Sequence, residues 1–183
     1  MDTLLHVDDD PMQRVWINHL FCDTFNIVSY EDAESVLRDI EQLHPSVAIL
    51  DLELPNMNGY QLCEKMRENY HLNDCLILIL SAHDDIQDRL NAYEAGADDY
   101  FTKPAIPEEL LAKVNRLHTL SCARKEAEDY AIQSQQTSFS ALSALGETDI
   151  TLNFFKKISF CDTQKKLLHI SLNRNQTRLV LSS

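Results

Sequence analysis

Residues 47–59 constrain this chain more than any other stretch: Val47-Ala48-Ile49-Leu50-Asp51-Leu52-Glu53-Leu54-Pro55-Asn56-Met57-Asn58-Gly59. Four apolar residues run directly into a carboxylate. A continuous apolar run, without alternation, marks a strand buried on both faces, as in a parallel sheet. Turn residues follow at Pro55, Asn58 and Gly59. In open parallel sheets the chemistry collects outside the carboxyl ends of the strands. Asp51 therefore stands where a reactive group is expected.

The residues before and after repeat this grammar. Thr3–Val7 reads as a strand that stops at Asp8-Asp9-Asp10-Pro11. His6 within it is expected to be a satisfied core or edge histidine. Pro11 opens a helix, where its missing N–H costs nothing. Met12, Val15, Trp16 and Leu20 give it an apolar face at helical spacing. Phe25–Tyr30 is a second strand, and Ala33, Val36, Leu37 and Ile40 mark a second helix that ends at His44-Pro45. Gly59–Glu68 is a third helix with Leu62, Cys63 and Met66 inward. Cys75–Leu80 is the most apolar run, a central strand ending at Ser81-Ala82-His83. Ile86, Leu90 and Tyr93 align on a fourth helix, with Gly96 as its C-terminal stop. Asp99–Thr102 is a last short strand, closed by Lys103-Pro104. Pro107 begins a fifth helix carrying Leu110, Val114 and Leu117.

Five strands alternating with five helices predict an α/β fold. The expected architecture is a parallel sheet of order 2-1-3-4-5 with helices on both faces. No glycine-rich loop follows any strand, so dinucleotide-binding and P-loop readings have no support.

Charge divides the chain. Residues 1–121 hold 8 Lys and Arg against 23 Asp and Glu, a net of −15; residues 122–183 hold 8 against 6, a net of +2. The acidic part suits cations or basic partners and repels nucleic acid. Residues 1–120 are read as one domain. Residues 121–136 are read as a helical linker or an extension of helix 5, and 137–183 as a small, mainly helical tail. Asp162-Thr163 resembles a helix N-cap within that tail. The tail is marginal as an independent domain and is expected to pack on a partner, a second copy or further chain. The five scattered cysteines, without a C-x-x-C pair, suit a reducing compartment. No signal peptide and no membrane span is read, so a soluble, cytoplasmic protein is expected.

The strand ends collect a coherent set: Asp8 and Asp9 after strand 1, Asp51 after strand 3, Ser81 after strand 4 and Lys103 after strand 5. Three carboxylates cannot share a pocket without counter-charge. The Lys103 ammonium and a divalent cation can supply it, and all-oxygen ligands favour a hard ion such as Mg²⁺. A carboxylate oxygen of Asp51 can attack a phosphoryl group to form an acyl phosphate. Positive charge then neutralises the transferring oxygens, and the Ser81 hydroxyl can hydrogen-bond one of them.

These residues resemble a known family. The Asp8-Asp9 pair, the Asp51-x-x-Leu-Pro-x-Met-x-Gly run, Ser81-Ala82 and Gly96-Ala97-Asp98-Asp99-Tyr100-Phe101-Thr102-Lys103-Pro104 look like the CheY-like receiver domain of bacterial two-component response regulators. The resemblance covers about residues 1–120. It implies that Asp51 is the phospho-acceptor, served by a histidine of a sensor kinase, in a phosphorelay. It implies Mg²⁺ held directly by Asp9 and Asp51, through water by Asp8, and by the Glu53 main-chain carbonyl. Lys103 resembles the family's lysine, with a cis junction to Pro104. Ser81 and Tyr100 resemble the switch pair, whose rearrangement remodels the helix 4–strand 5–helix 5 face used by a partner or a homodimer. Glu53 and His83 flank the phosphoryl site. Ala105 stands where an aromatic residue is usual, and Asn58 where an aspartate is common. Arg89, Asp98, Asp99, Lys113 and Arg116 are read either as cross-dimer ion pairs or as solvated charge.

Two other readings remain. Haloacid-dehalogenase-type phosphatases also use an Asp nucleophile with Mg²⁺, but place a second aspartate where Glu53 stands. A DNA-binding transcriptional regulator needs a helix-turn-helix with basic residues. The tail offers Lys156-Lys157 and Lys165-Lys166 but no convincing helix pair, so nucleic acid is not supported by the sequence. A downstream protein partner is expected instead.

Overall fold

The computed structural model describes residues 1–69, 72 and 74–144. The chain divides into two units, Met1–Glu128 and Asp129–Ser183. Its elements are β1 (Thr3–Val7), α1 (Pro11–Phe21), β2 (Asn26–Tyr30), α2 (Ala33–Asp39), β3 (Pro45–Asp51), α3 (Gly59–Glu68), β4 (Leu76–Ser81), α4 (Ile86–Glu94), β5 (Asp99–Thr102) and α5 (Pro107–Ala144). All strand pairs are parallel, and the order is β2-β1-β3-β4-β5, as expected from the sequence. The readings of Lys156-Lys157, Asp162-Thr163 and Lys165-Lys166 lie outside the described residues.

The continuous apolar strands have a simple cause. Successive side chains point to opposite faces, and both faces of this sheet are covered. Leu5, Val7, Ala48, Leu50, Ile77 and Ile79 form one core with α2, α3 and Ala92 of α4. Leu4, Val47, Ile49, Leu76, Leu78 and Leu80 form the other with Ile17, Phe21, Leu110, Val114 and Leu117. Each fully buried side chain of this size contributes about 1.5–3 kcal/mol over exposure.

Local sequence sets the helix starts. Asp10 caps α1 by accepting from the Met12 N–H at 2.8 Å, and Pro11 follows at the first helical position. Asp32 and Asp85 cap α2 and α4 in the same way. Asn58 caps α3 in a reciprocal box with Gln61, at 3.0 and 3.1 Å. An aspartate at 58 could accept the same bond, so Asn58 is a conservative departure.

Spacing left the rotation of two helices open. In α1 the buried residues are Ile17 and Phe21, with Trp16 and Leu20 packed against the core. Met12 and Val15 are exposed. Apolar residues occupy so wide an arc of this helix that spacing alone left its rotation open. In α4 the aligned Ile86, Leu90 and Tyr93 all face solvent, and the small Ala92 is the buried residue. The stripe has helical spacing but is not core.

Beyond α4 the chain is pinned by Arg67. Its guanidinium donates to the carbonyls of Gly96 (Nε, 2.8 Å) and Cys75 (Nη1, 2.7 Å) and pairs with Asp98 (Nη2, 2.5 Å). Asp98 also accepts the Ile77 N–H at 2.8 Å. Gly96 has φ +96°, and a Cβ there would sit 2.9 Å from the Arg67 side chain. Asp99 pairs with Lys113 at 2.6 Å, and Arg89 with Asp84. Asp98 and Asp99 therefore hold their own domain together.

On helix α5 the buried Ser121 donates its hydroxyl to the Asp74 carbonyl at 2.8 Å. Residues 123–137 of the helix are exposed. Among the described residues no helix is long and apolar enough to cross a membrane. Cys22, Cys63, Cys75 and Cys122 are free thiols.

Candidate functional site

The parallel order brings the carboxyl ends of β1, β3, β4 and β5 to one edge. Asp51 closes β3 opposite Leu80 of β4 and is buried. Asp8 follows β1 and is fully buried, while Asp9 beside it is exposed. Carboxylate oxygens of Asp8, Asp9 and Asp51 lie within 4.8 Å of one another. Lys103, just after β5, places Nζ 3.0 Å from Asp8 Oδ2 and 3.1 Å from Asp51 Oδ1. The expected residues are thus brought together.

Backbone constraints hold this geometry. The Lys103 N–H donates to the Ser81 carbonyl at 2.6 Å, and the Lys103–Pro104 peptide is cis. Ala105 is half-buried and packs against the α1/α5 core. The turn after β3 folds back so closely that the Gly59 N–H donates to the Leu52 carbonyl at 3.0 Å. A Cβ on Gly59 would lie 2.2 Å from the Asp51 carbonyl oxygen. Asn56 in this turn takes the left-handed conformation, φ 64°, which asparagine tolerates.

One contributor was not read from the sequence, and a second was read differently. Arg14, one turn into α1, donates from Nη1 to the Asp8 carbonyl (2.7 Å) and the Asp9 carbonyl (3.0 Å). It braces the acidic loop through its backbone and leaves the Asp8 carboxylate to Lys103. An arginine one turn beyond an acidic strand end is the available signal. The second is His6. It is fully buried, and neither ring nitrogen has a hydrogen-bond partner. It is therefore not the satisfied histidine expected. Its Nε2 lies 4.0 Å from Asp8 Oδ2. Burial, with Lys103 and Arg14 nearby, pushes its pKa down to about 3, so the ring is neutral near pH 7.

The electrostatics are those of a pocket short of positive charge. Burial raises the Asp51 pKa; Lys103 opposes this and Asp8 adds to it. Burial pulls Lys103 down, but Asp8 and Asp51 outweigh it and raise its pKa overall. Lys103 is thus an ammonium shared by two carboxylates. One ammonium does not balance three carboxylates, and the donors are all oxygen. That set fits a hard divalent cation, with Asp9 on the open side where water can complete the shell.

The flanking residues are also placed. Ser81 is fully buried, and its Oγ accepts the His83 N–H at 3.1 Å. Tyr100 is buried, and its hydroxyl donates to the His83 carbonyl at 2.8 Å. The ring is therefore turned inward behind the β4–α4 connection. His83 bridges two carboxylates, Glu53 at 3.3 Å and Asp88 at 3.4 Å. The Glu53 side chain is exposed and turned to His83.

Comparison with known proteins gives this arrangement its context. RpaA of Synechocystis, named a DNA-binding dual master transcriptional regulator, is 31% identical over 181 residues, covering 96% of this chain and 72% of RpaA. The response regulator GraR of Staphylococcus epidermidis is 35% identical over 118 residues, covering 64% of this chain and 51% of GraR. The chain thus spans about half the length of most such relatives. The BeF₃-activated receiver domain of DrrB superposes with a TM-score of 0.60 at 32% identity, covering 64% of this chain and 97% of that domain. The sequence-based exclusion of nucleic acid is not borne out, because relatives of this chain are transcriptional regulators. Its physical flaw is plain: the charge of a receiver surface does not report what an attached region binds. Residues 4–115 match the response regulator receiver domain, and the chain belongs to that family.

Proposed function

We propose that the protein is a cytoplasmic response regulator that accepts a phosphoryl group on Asp51 from a phosphohistidine of a sensor kinase. The observation that carries this is the Lys103 ammonium held 3.1 Å from Asp51 and 3.0 Å from Asp8. An Asp51 oxygen attacks phosphorus, the P–N bond breaks, and its electron pair leaves with the imidazole. Lys103 stands beside the oxygens on which charge develops. Asp8, Asp9, Asp51 and the Glu53 main-chain carbonyl would hold Mg²⁺. When bound, Mg²⁺ supplies charge neutralisation of the phosphoryl oxygens. Ser81 Oγ, which accepts the His83 N–H at 3.1 Å, would donate its hydroxyl proton to the phosphoryl group.

Incubated with acetyl phosphate and Mg²⁺, the protein is expected to gain one phosphoryl group by intact mass, and Asp51→Asn none. Equal labelling of Asp51→Asn would refute the assignment. An Asp-nucleophile phosphatase would need the residue at 53 as acid, and Glu53 is instead engaged by His83.

The switch runs through Ser81 and Tyr100, both hydrogen-bonded to the His83 backbone in the β4–α4 connection. Its output face is α4–β5–α5, where Ile86, Leu90 and Tyr93 stand exposed. A second copy or a downstream protein would cover them. Light scattering with acetyl phosphate is expected to show self-association that Leu90→Glu weakens at least tenfold. An unchanged association constant would move the interface elsewhere.

A second reading concerns output. The match to RpaA extends over 96% of this chain, beyond the receiver. The whole protein would then act on transcription through DNA. Salt-sensitive, sequence-selective binding of duplex DNA by the protein, measured by anisotropy, supports it; binding without sequence preference argues against it.

A further inference from the structure

Far from the acidic pocket, three different metal-ligating groups meet. Asp2 Oδ2 lies 2.6 Å from His118 Nε2 and 3.8 Å from Cys122 Sγ, and His118 Nε2 lies 3.4 Å from Cys122 Sγ. His118 and Cys122 are one helical turn apart on α5 and share a face. Asp2 comes from the start of the chain, 116 residues from His118. From this cluster we propose a second, nitrogen–sulfur–oxygen metal site for Zn²⁺, formed by Asp2, His118 and Cys122.

The cluster is held before any ion arrives. The Asp2 carbonyl accepts the Asn26 N–H at 2.9 Å, which fixes that backbone against β2. The His118 ring packs edge-on against buried Phe25, with centroids 4.9 Å apart. Tetrahedral Zn²⁺, with bonds of about 2.0–2.3 Å, separates its ligand atoms by roughly 3.3–3.7 Å. The two contacts to sulfur are already close to that range. The Asp2–His118 contact must open slightly, and the Asp2 side chain is exposed.

Chemistry separates this site from the acidic pocket. Mixed imidazole, thiolate and carboxylate donors select a borderline metal, whereas three carboxylates suit Mg²⁺. Burial and the Asp2 charge raise the Cys122 pKa, so the metal displaces a thiol proton to solvent on binding. Three protein ligands leave the fourth position to water, which suits an exchangeable ion. Bound there, the ion ties the first residues of the sheet to α5 close to the end of the receiver core.

Co²⁺ reports the ligands, because only a thiolate gives a near-ultraviolet sulfur-to-metal charge-transfer band. One equivalent of Co²⁺ added to the full chain in excess Mg²⁺ is expected to produce that band, and one equivalent of Zn²⁺ to remove it. Cys122→Ser is expected to abolish it, His118→Gln to weaken Co²⁺ binding at least tenfold, and Cys22→Ser to leave it intact. Zn²⁺ is expected to raise the wild-type Tm by about 5 °C or more, an effect lost in Cys122→Ser. Far-ultraviolet circular dichroism confirms that each variant is folded. Absence of the band, or its survival in Cys122→Ser, would leave an ion pair between Asp2 and His118 and overturn the site.

Discussion

Gly59→Ala is expected to destabilise the receiver by about 3 kcal/mol and to slow phosphorylation of Asp51 at least tenfold. The new Cβ would lie 2.2 Å from the Asp51 carbonyl oxygen and 3.0 Å from Leu52 Cα. Both are backbone atoms, so no side chain can rotate away. Either the β3–α3 turn opens, or the end of β3 moves. Opening the turn weakens the Gly59–Leu52 hydrogen bond and the cap that Asn58 makes on α3. Moving β3 shifts Asp51 against Lys103, whose ammonium is now 3.1 Å away. Urea unfolding measures the first effect, and the acetyl phosphate labelling rate measures the second. Normal stability with a normal rate would show that the turn relaxes without cost.

His6→Leu is expected to stabilise the protein at pH 7 by about 1–3 kcal/mol, because a buried, unpartnered polar ring is replaced by an apolar side chain. The difference should widen in acid. The folded pKa of His6 is about 3, below the 6.5 of an unperturbed histidine. Below pH 6.5 the unfolded chain takes up a proton that the folded chain refuses until about pH 3. The unfolded state therefore binds more protons in that window, and stability falls as pH falls, by about 1.4 kcal/mol per pH unit from this group. The leucine variant lacks that slope. Between pH 6.5 and 5 its advantage should grow by about 2 kcal/mol, read from urea midpoints at each pH. Parallel stability curves for the two proteins would sink this account.

The same histidine marks a limit of sequence reading. A polar residue among Thr3, Leu4, Leu5 and Val7 is visible as an oddity, but its lack of partners is not. Those partners would have to come from β2, β3, α1 or α5, and none of these offers a hydrogen bond to the ring. Helix rotation has a related limit. Ile86, Leu90 and Tyr93 fall on one face of α4 by spacing, and they do share a face. Periodicity shows that an apolar face exists; it does not say whether the sheet or a partner covers it. Here Ala92, Ala95 and Ala97 fill the inner side, and the larger residues face out.

Strand identity, turn positions and the chemical groups at each strand end are properties of short stretches, and the sequence by itself determined them. Apolar runs in 47–50 and 76–80 demand burial on both faces. Pro11 and Gly96 act through their own backbone preferences, and Asn58 through its capping side chain. What only the tertiary structure decided is which of these groups meet. Lys103 reaches Asp8 across 95 residues because β5 and β1 end on the same edge of the sheet. Arg14 bends to the carbonyls of Asp8 and Asp9 rather than to their carboxylates. Asp98 is claimed by Arg67, and Asp2 by His118. Such pairings depend on packing between distant elements, which no local pattern encodes.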